Sequence, residues 1–109
     1  MAYNLELAKR IWAHLAGLPG VSEKKMFGGV GYLVNGNMAC GVHGENLIVR
    51  LSAKDGEKAL ALPFTRPFDL SGKPMRGWLY VEPAGWATDE ELLGWLQLGL
   101  AYARSLPPK

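Results

Sequence analysis

Residues 24–51 read KKMFGGVGYLVNGNMACGVHGENLIVRL, and the two turn signals in this stretch decide the fold. Asn35-Gly36 lies between apolar runs, which is the strongest short hairpin signal, because a type I′ turn needs a positive φ at both central residues. Gly44-Glu45 supplies a second tight turn. We therefore predict a meander of three short antiparallel strands.

The two turns also fix a register for the meander. The first hairpin pairs Leu33 with Met38, Gly31 with Cys40, Gly29 with Val42 and Phe27 with Gly44. The second pairs Val42 with Leu47, Cys40 with Val49 and Met38 with Leu51. Because strand side chains alternate between faces, both turns place one apolar set together. That set is Phe27, Leu33, Met38, Cys40, Val42, Leu47, Val49 and Leu51. The opposite face carries Met26, Val30, Tyr32, Ala39, His43, Ile48 and Arg50.

Helices are predicted on both sides of the meander. Apolar residues recur at helical spacing over residues 4–16, with Asn4 as the cap and Gly17 as the end. Ser52 opens a short second helix that reaches residue 62. Thr88 and Glu91 form a capping box that starts a final helix running to about residue 106. Its apolar stripe is Leu92, Trp95, Leu96, Gly99, Leu100 and Ala103.

A second hairpin is predicted over residues 64–81, with its turn at residues 71–74. The element order is then α-β-β-β-α-β-β-α. This order predicts an α+β fold of two layers, in which the N- and C-terminal helices pack on a mainly antiparallel sheet. At 109 residues the chain is expected to be a single domain, residues 1–109, with Phe27, Val42, Leu47, Val49, Trp12 and Leu96 buried together.

The composition limits the classes of protein to which the chain can belong. The net charge of +2 falls short of that of a dedicated nucleic-acid domain. A single cysteine excludes an internal disulfide and fits a reducing cytoplasm, where we place the protein. Charged residues interrupt the first apolar stretch, and no run reaches transmembrane length, so neither a signal peptide nor membrane insertion is expected.

Four motifs, taken in their order along the chain, resemble the N-terminal domain of the TfoX/Sxy family of competence regulators. They lie at residues 25–29 (KMFGG), 37–42 (NMACGV), 66–69 (RPFD) and 72–78 (GKPMRGW). The resemblance implies a sheet-and-helix fold similar to secretion-chaperone-like domains. Well-known members act with a cyclic-AMP receptor protein to switch on DNA-uptake genes, which implies a transcription factor as partner. Those members carry a second, C-terminal domain that is not in this sequence, and the family brings no catalytic residues.

The residues that could carry chemistry have simpler structural interpretations. Cys40 falls on the predicted core face, so we interpret it as a small buried hydrophobe rather than a redox sensor. His43 has only Glu45 nearby, which is too few ligands for zinc. The glycines of residues 28–44 lie within and between strands instead of opening a helix, so they do not form a phosphate loop. No catalytic, cofactor-binding or metal site is predicted.

Two candidate surfaces remain. Lys24, Lys25, Lys73 and Arg76 are a candidate anion patch. Met26, Val30, Tyr32 and Ile48, on the second sheet face, are a candidate interaction surface, and a homodimer is one outcome for it. Trp86, in a loop, is expected to be exposed.

We interpret the chain as a non-enzymatic regulatory or protein-interaction module. The alternatives are a nucleic-acid-associated protein that uses the Lys/Arg patch, or, last, a small-ligand binder or enzyme. Direct sequence-specific nucleic-acid binding is not expected.

Overall fold

A computed structural model describes residues 3–26, 28–68 and 75–109. Its elements in chain order are α1 Leu5–Leu15, β1 Val21–Met26, β2 Gly29–Val34, β3 Asn37–His43, β4 Asn46–Arg50, α2 Ala53–Ala59, β5 Thr65–Pro67, β6 Trp78–Val81, α3 Pro83–Trp86 and α4 Asp89–Ser105. The described strands form a sheet in the order β1-β2-β3-β4-β6-β5, with every neighbouring pair antiparallel. The predicted α+β fold class is confirmed.

The structure adds one strand and one helical turn to the predicted order. The first predicted strand is divided, because Gly28 adopts a φ of +74° and turns the chain between β1 and β2. Only glycine takes this left-handed conformation without steric cost. The segment before α4, predicted as a loop, contains the short helix α3. Phe27 and the turn at residues 71–74 lie outside the described residues.

A bulge at Ala39 corrects the register of the first hairpin. Leu33 pairs with Met38 as predicted, but Tyr32 pairs with Cys40, and Val30 pairs with Val42. The predicted partners of Cys40 and Val42, which were Gly31 and Gly29, are therefore wrong by one residue. A bulge places two residues of one strand opposite one of the other, so it exchanges the faces of β2 beyond that point. The second hairpin has the predicted pairs Val42–Leu47 and Cys40–Val49.

Helices α1 and α4 cover one face of the sheet and form the main core with it. Asn4 caps α1, its side chain accepting a hydrogen bond from the Leu7 N–H at 3.0 Å. Thr88 and Glu91 form the predicted capping box of α4. The buried strand residues Val42, Leu47 and Val49, together with Leu96 of α4, meet in this core, as predicted.

Two tryptophans, Trp12 and Trp86, are placed differently from the prediction. Trp12 leaves 38% of its surface exposed and stacks on Tyr32, with ring centroids 6.0 Å apart. Trp86 is buried in the main core rather than exposed. It lies beneath Arg10, whose guanidinium carbon is 5.6 Å from the centre of the Trp86 ring. Arg10 also pairs with Asp89 at 3.0 Å, so it joins α1 to the start of α4.

The opposite face of the sheet carries a smaller cluster. Met38, Ile48, Phe68 and Tyr80 are buried there, and Met26 and Trp78 pack against them. The Phe68 ring lies 5.0 Å from Tyr80 and 5.6 Å from Trp78. The sheet therefore has an apolar core on both faces, of unequal size.

The C-terminal end is held against the β2–β3 turn. The buried side chain of Asn37 donates a hydrogen bond from Nδ2 to the Pro107 carbonyl at 2.9 Å. The Lys109 N–H donates to the Asn35 carbonyl at 2.8 Å. These two bonds fix the last residues of the chain beside the turn.

Candidate functional site

The four residues of the predicted interaction surface do not share a face. Val30 and Tyr32 are buried in the main core, and the Tyr32 hydroxyl donates to the Ala8 carbonyl of α1 at 3.2 Å. Ile48 is buried on the other face, where Met26 packs at the edge of the cluster. The prediction that these residues form one open face is wrong, because the bulge at Ala39 moves the β2 side chains to the helix-covered side.

The described members of the predicted anion patch are far apart. Lys24 and Lys25 lie on β1 at one edge of the sheet, whereas Arg76 precedes β6, which lies four strand positions away. At about 4.8 Å per position the separation is roughly 19 Å. Arg76 pairs with Glu57 of α2 at 3.4 Å. Lys73 lies outside the described residues. The structure therefore does not bring Lys24 and Lys25 together with Arg76.

A groove between α2 and α4 has the volume and the lining expected of a binding site. It encloses about 640 Å³. We call it the α2–α4 groove; its lining residues are Leu51, Asp55, Lys58, Ala59, Leu62, Trp95, Leu98, Ala101, Tyr102 and Ser105. A neighbouring depression shares Leu62 and Trp95 with the groove and reaches Phe64. Its volume and apolar lining fall in the range of sites that hold a ligand or a peptide segment.

Large apolar side chains on the walls of this groove face water. Leu62 is 52% exposed, Leu98 51% and Phe64 49%. Scattered exposed leucines are ordinary on a soluble protein. Here, however, they border neighbouring depressions that share Leu62 and Trp95, and an apolar surface of this kind is a candidate interaction site.

The helical phase of α4 explains why Leu98 points outward. The buried stripe of the helix includes Leu92, Leu96 and Leu100, which pack on the sheet. Leu98 lies two positions from the last two of these, about 200° around the helix axis. Gly94 and Ala101 are exposed on the same side, so α4 carries a second and shallower seam of small and apolar residues. This seam forms one wall of the groove.

Hydrogen bonds make the floor and the second wall of the groove rigid. Trp95 is half-buried at the floor, and its Nε1–H donates to the Gly85 carbonyl at 3.1 Å. Thr65 Oγ1 is 3.1 Å from the Ala59 carbonyl and 2.9 Å from the Leu62 carbonyl, which ties the end of α2 to β5. Phe64 adopts a φ of +65°, a conformation that is rare for a bulky residue. Backbone strain of this kind is concentrated at functional sites.

The charges around the groove are divided between its ends. Glu90 and Glu91 lie beside Leu62 and Gly94, at the N-terminal end of α4. Lys58 and Asp55 lie beside Tyr102 and Ser105, at the other end. The groove is therefore apolar in its middle, acidic at one end and mixed in charge at the other.

Comparison with known families agrees with this architecture and with the motifs. The family model of the TfoX N-terminal domain matches residues 13–103. The chain belongs to this family. Neither the curated proteins nor the solved structures searched contain a significant match. None of the helices in the described part of this TfoX N-terminal domain has the length and apolar composition needed to cross a membrane.

The predicted interpretation of Cys40 is confirmed in this TfoX N-terminal domain. Cys40 is free and completely buried, and burial raises the pKa of its thiol to about 12. The thiolate needed for redox chemistry or metal binding is therefore suppressed. His43 is half-buried rather than a solvated turn residue, with Nδ1 3.2 Å from the Tyr80 hydroxyl. Within the described residues, no three His, Cys, Asp or Glu side chains are grouped to hold a metal.

The sequence itself contains a signal for the groove. Leu98 is a leucine of the final helix that falls outside its predicted apolar stripe. Residues 60–64 (LALPF) place three large apolar side chains where a short helix ends. Apolar residues that no predicted core accommodates indicate an exposed surface, but their meeting across α2 and α4 depends on the tertiary fold.

Proposed function

We propose that this TfoX N-terminal domain is a non-enzymatic regulatory module that binds a protein partner through the α2–α4 groove. The observation that carries the proposal is the pair Leu62 and Leu98, half exposed on either side of the half-buried Trp95. Burying such side chains at an interface yields about 25 cal/mol for each Å² of apolar area removed from water.

The shape of the groove suits a helix of the partner. Helix-binding grooves take the apolar face of an amphipathic helix through anchors spaced three, four and seven residues apart. The acidic end at Glu90 and Glu91 favours a basic residue near one end of such a helix. The family resemblance extends the proposal to a transcription factor as partner, in the cytoplasm. The wide separation of Lys24 and Lys25 from Arg76 supports a protein partner over direct, sequence-specific binding of nucleic acid.

Matched charge substitutions test the groove. Leu98→Glu places a carboxylate in the middle of the apolar surface, whereas Leu5→Glu places one on α1, where Leu5 is 42% exposed and outside the groove. Both variants should keep the parental circular dichroism spectrum and melting temperature. Proteins that cross-link to the parent in extracts of the native host are identified by mass spectrometry, and the recovered partner is then purified and titrated.

The expected result is a partner that binds the parent and Leu5→Glu equally and binds Leu98→Glu at least about tenfold more weakly. Retention of the same partner by Leu98→Glu would show that the groove is not the contact surface. Hydrolytic or transfer activity that purifies with the chain would contradict the non-enzymatic assignment.

A further inference from the structure

We infer that the helix which occupies the α2–α4 groove is α4 of a second copy of the same chain, docked antiparallel about a twofold axis near Leu98. The inference rests on the proposed function of the groove: in the free protein, a second copy occupies the surface that the protein partner takes when it binds. It follows from the arrangement of exposed side chains along α4 and from the charges at the two ends of the groove.

The exposed seam of α4 is symmetric about Leu98. Glu91 and Ser105 each lie seven residues from Leu98, which is two helical turns, or roughly 10.5 Å, in either direction. In an antiparallel pair with the axis at Leu98, Leu98 meets its symmetry mate, and Gly94 faces Tyr102 of the second copy, a residue that lines the groove. Gly94 has no atom within 4 Å of the position of a β-carbon, so a neighbouring helix can approach closely there. A ridge and a hollow on one surface are what a self-complementary interface requires.

The charges are complementary in the same arrangement. The acidic end of the groove has Glu90 and Glu91, and the opposite end has Lys58 and Asp55 on the groove wall. Antiparallel docking brings each acidic end beside Lys58 of the other copy. A parallel arrangement would place the acidic ends together, and like charges at an interface oppose association. Asp55 offsets part of the positive charge, so the apolar seam remains the main source of affinity.

Covering the groove also removes the exposed leucines from water in both copies at once. Leu62 borders Leu98 along the groove, so the second α4 would lie over both leucines and over Trp95. A twofold arrangement buries these side chains in each of the two copies. Leu98→Glu therefore inserts two carboxylates beside each other at the axis and should raise the dimer dissociation constant by at least tenfold.

Analytical ultracentrifugation from micromolar to millimolar concentration tests the inference. The parent and Leu5→Glu are expected to be dimers at the upper end of this range, and Leu98→Glu is expected to be a monomer with the parental circular dichroism spectrum. Glu90→Lys and Lys58→Glu should each weaken the dimer, and the double variant should recover most of the loss. Rescue would show that these residues face each other across the interface.

A cysteine substitution tests the position of the axis. Because Cys40 is buried, a Leu98→Cys chain exposes one reactive thiol, which should form an intermolecular disulfide under mild oxidation. Leu5→Cys is the control and should cross-link much more slowly. A parent that stays monomeric at millimolar concentration overturns the inference, as does a Leu98→Glu variant that remains dimeric. The proposed function fails separately, when Leu98→Glu binds every partner of the parent with unchanged affinity.

Discussion

The α-carbon of Gly99 on α4 lies against the carbonyl oxygen of Ala39, the extra residue of the β3 bulge. A β-carbon at Gly99 would be 2.4 Å from that oxygen, well inside van der Waals contact. The glycine therefore lets α4 rest directly on the strand at the point where the strand changes its register. The bulge therefore lies where α4 approaches the sheet closely.

Gly99→Ala is expected to destabilise the domain by about 1–3 kcal/mol, because the added methyl group meets backbone rather than a movable side chain. Chemical denaturation followed by tryptophan fluorescence measures the loss. Gly17→Ala is the control, since no atom lies within 4 Å of the corresponding β-carbon position. Equal stability of the two variants would show that α4 can shift away from Ala39 at little cost.

Val49→Asp tests the centre of the main core. Val49 is completely buried between β3 and β6, and a carboxylate there would have no partner. Burial of an unpaired charge is strongly unfavourable, so we expect a loss of more than about 3 kcal/mol or failure to fold. Ser22→Asp, on the exposed edge strand β1, should change the free energy of unfolding by less than about 0.5 kcal/mol. A Val49→Asp protein that melts within two degrees of the parent would contradict the observed core.

Trp86 and Trp95 differ in whether the indole N–H donates a hydrogen bond. Trp86 Nε1 is buried and has no hydrogen-bond partner among the described residues, whereas Trp95 Nε1 donates to Gly85. Removing an unsatisfied buried donor costs no hydrogen bond, so Trp86→Phe should lose less stability than Trp95→Phe, by about 1 kcal/mol. Thermal melts of both variants measure the difference. The reverse order would show that burial of the Trp86 ring outweighs the hydrogen bond of Trp95.

The Cys40 thiol makes stability depend on alkaline pH. Its ordinary pKa is 9.0, and burial raises the pKa in the folded state to about 12. The unfolded chain therefore ionises first, and stability that is present below pH 9 is lost as the pH rises from 9 to 12. Cys40 should account for about 1.4 kcal/mol of the loss between pH 8 and pH 10.

Cys40→Ala should make the decline in unfolding free energy shallower over this interval. The variant lowers stability at every pH by leaving a small void, so the slopes are compared rather than the absolute values. Tyr32, whose pKa is also raised above its ordinary 10.0, chiefly by burial, adds its contribution at higher pH. Identical slopes for parent and variant would show that the thiol titrates normally.

Local signals in the sequence were enough to predict the fold class. They did not predict the features that depend on contacts between distant parts of the chain. The Asn35-Gly36 and Gly44-Glu45 turns, the Asn4 cap and the Thr88 capping box depend on neighbouring residues, and each is found where it was predicted. The bulge at Ala39 lies beneath α4, far along the chain, and it places Val30 and Tyr32 on the helix-covered face. The α2–α4 groove was missed because its two walls come from segments about 35 residues apart.

The hydrogen bonds from Asn37 to Pro107 and from Lys109 to Asn35 determine where anything attached after Lys109 must emerge. A tag or a fused fluorescent protein would start beside the β2–β3 turn, from a backbone held at two points rather than from a free tail. Energy transfer from such a fusion would report distances from a fixed origin. Fusions at this end therefore suit measurements of how the domain is oriented in larger assemblies.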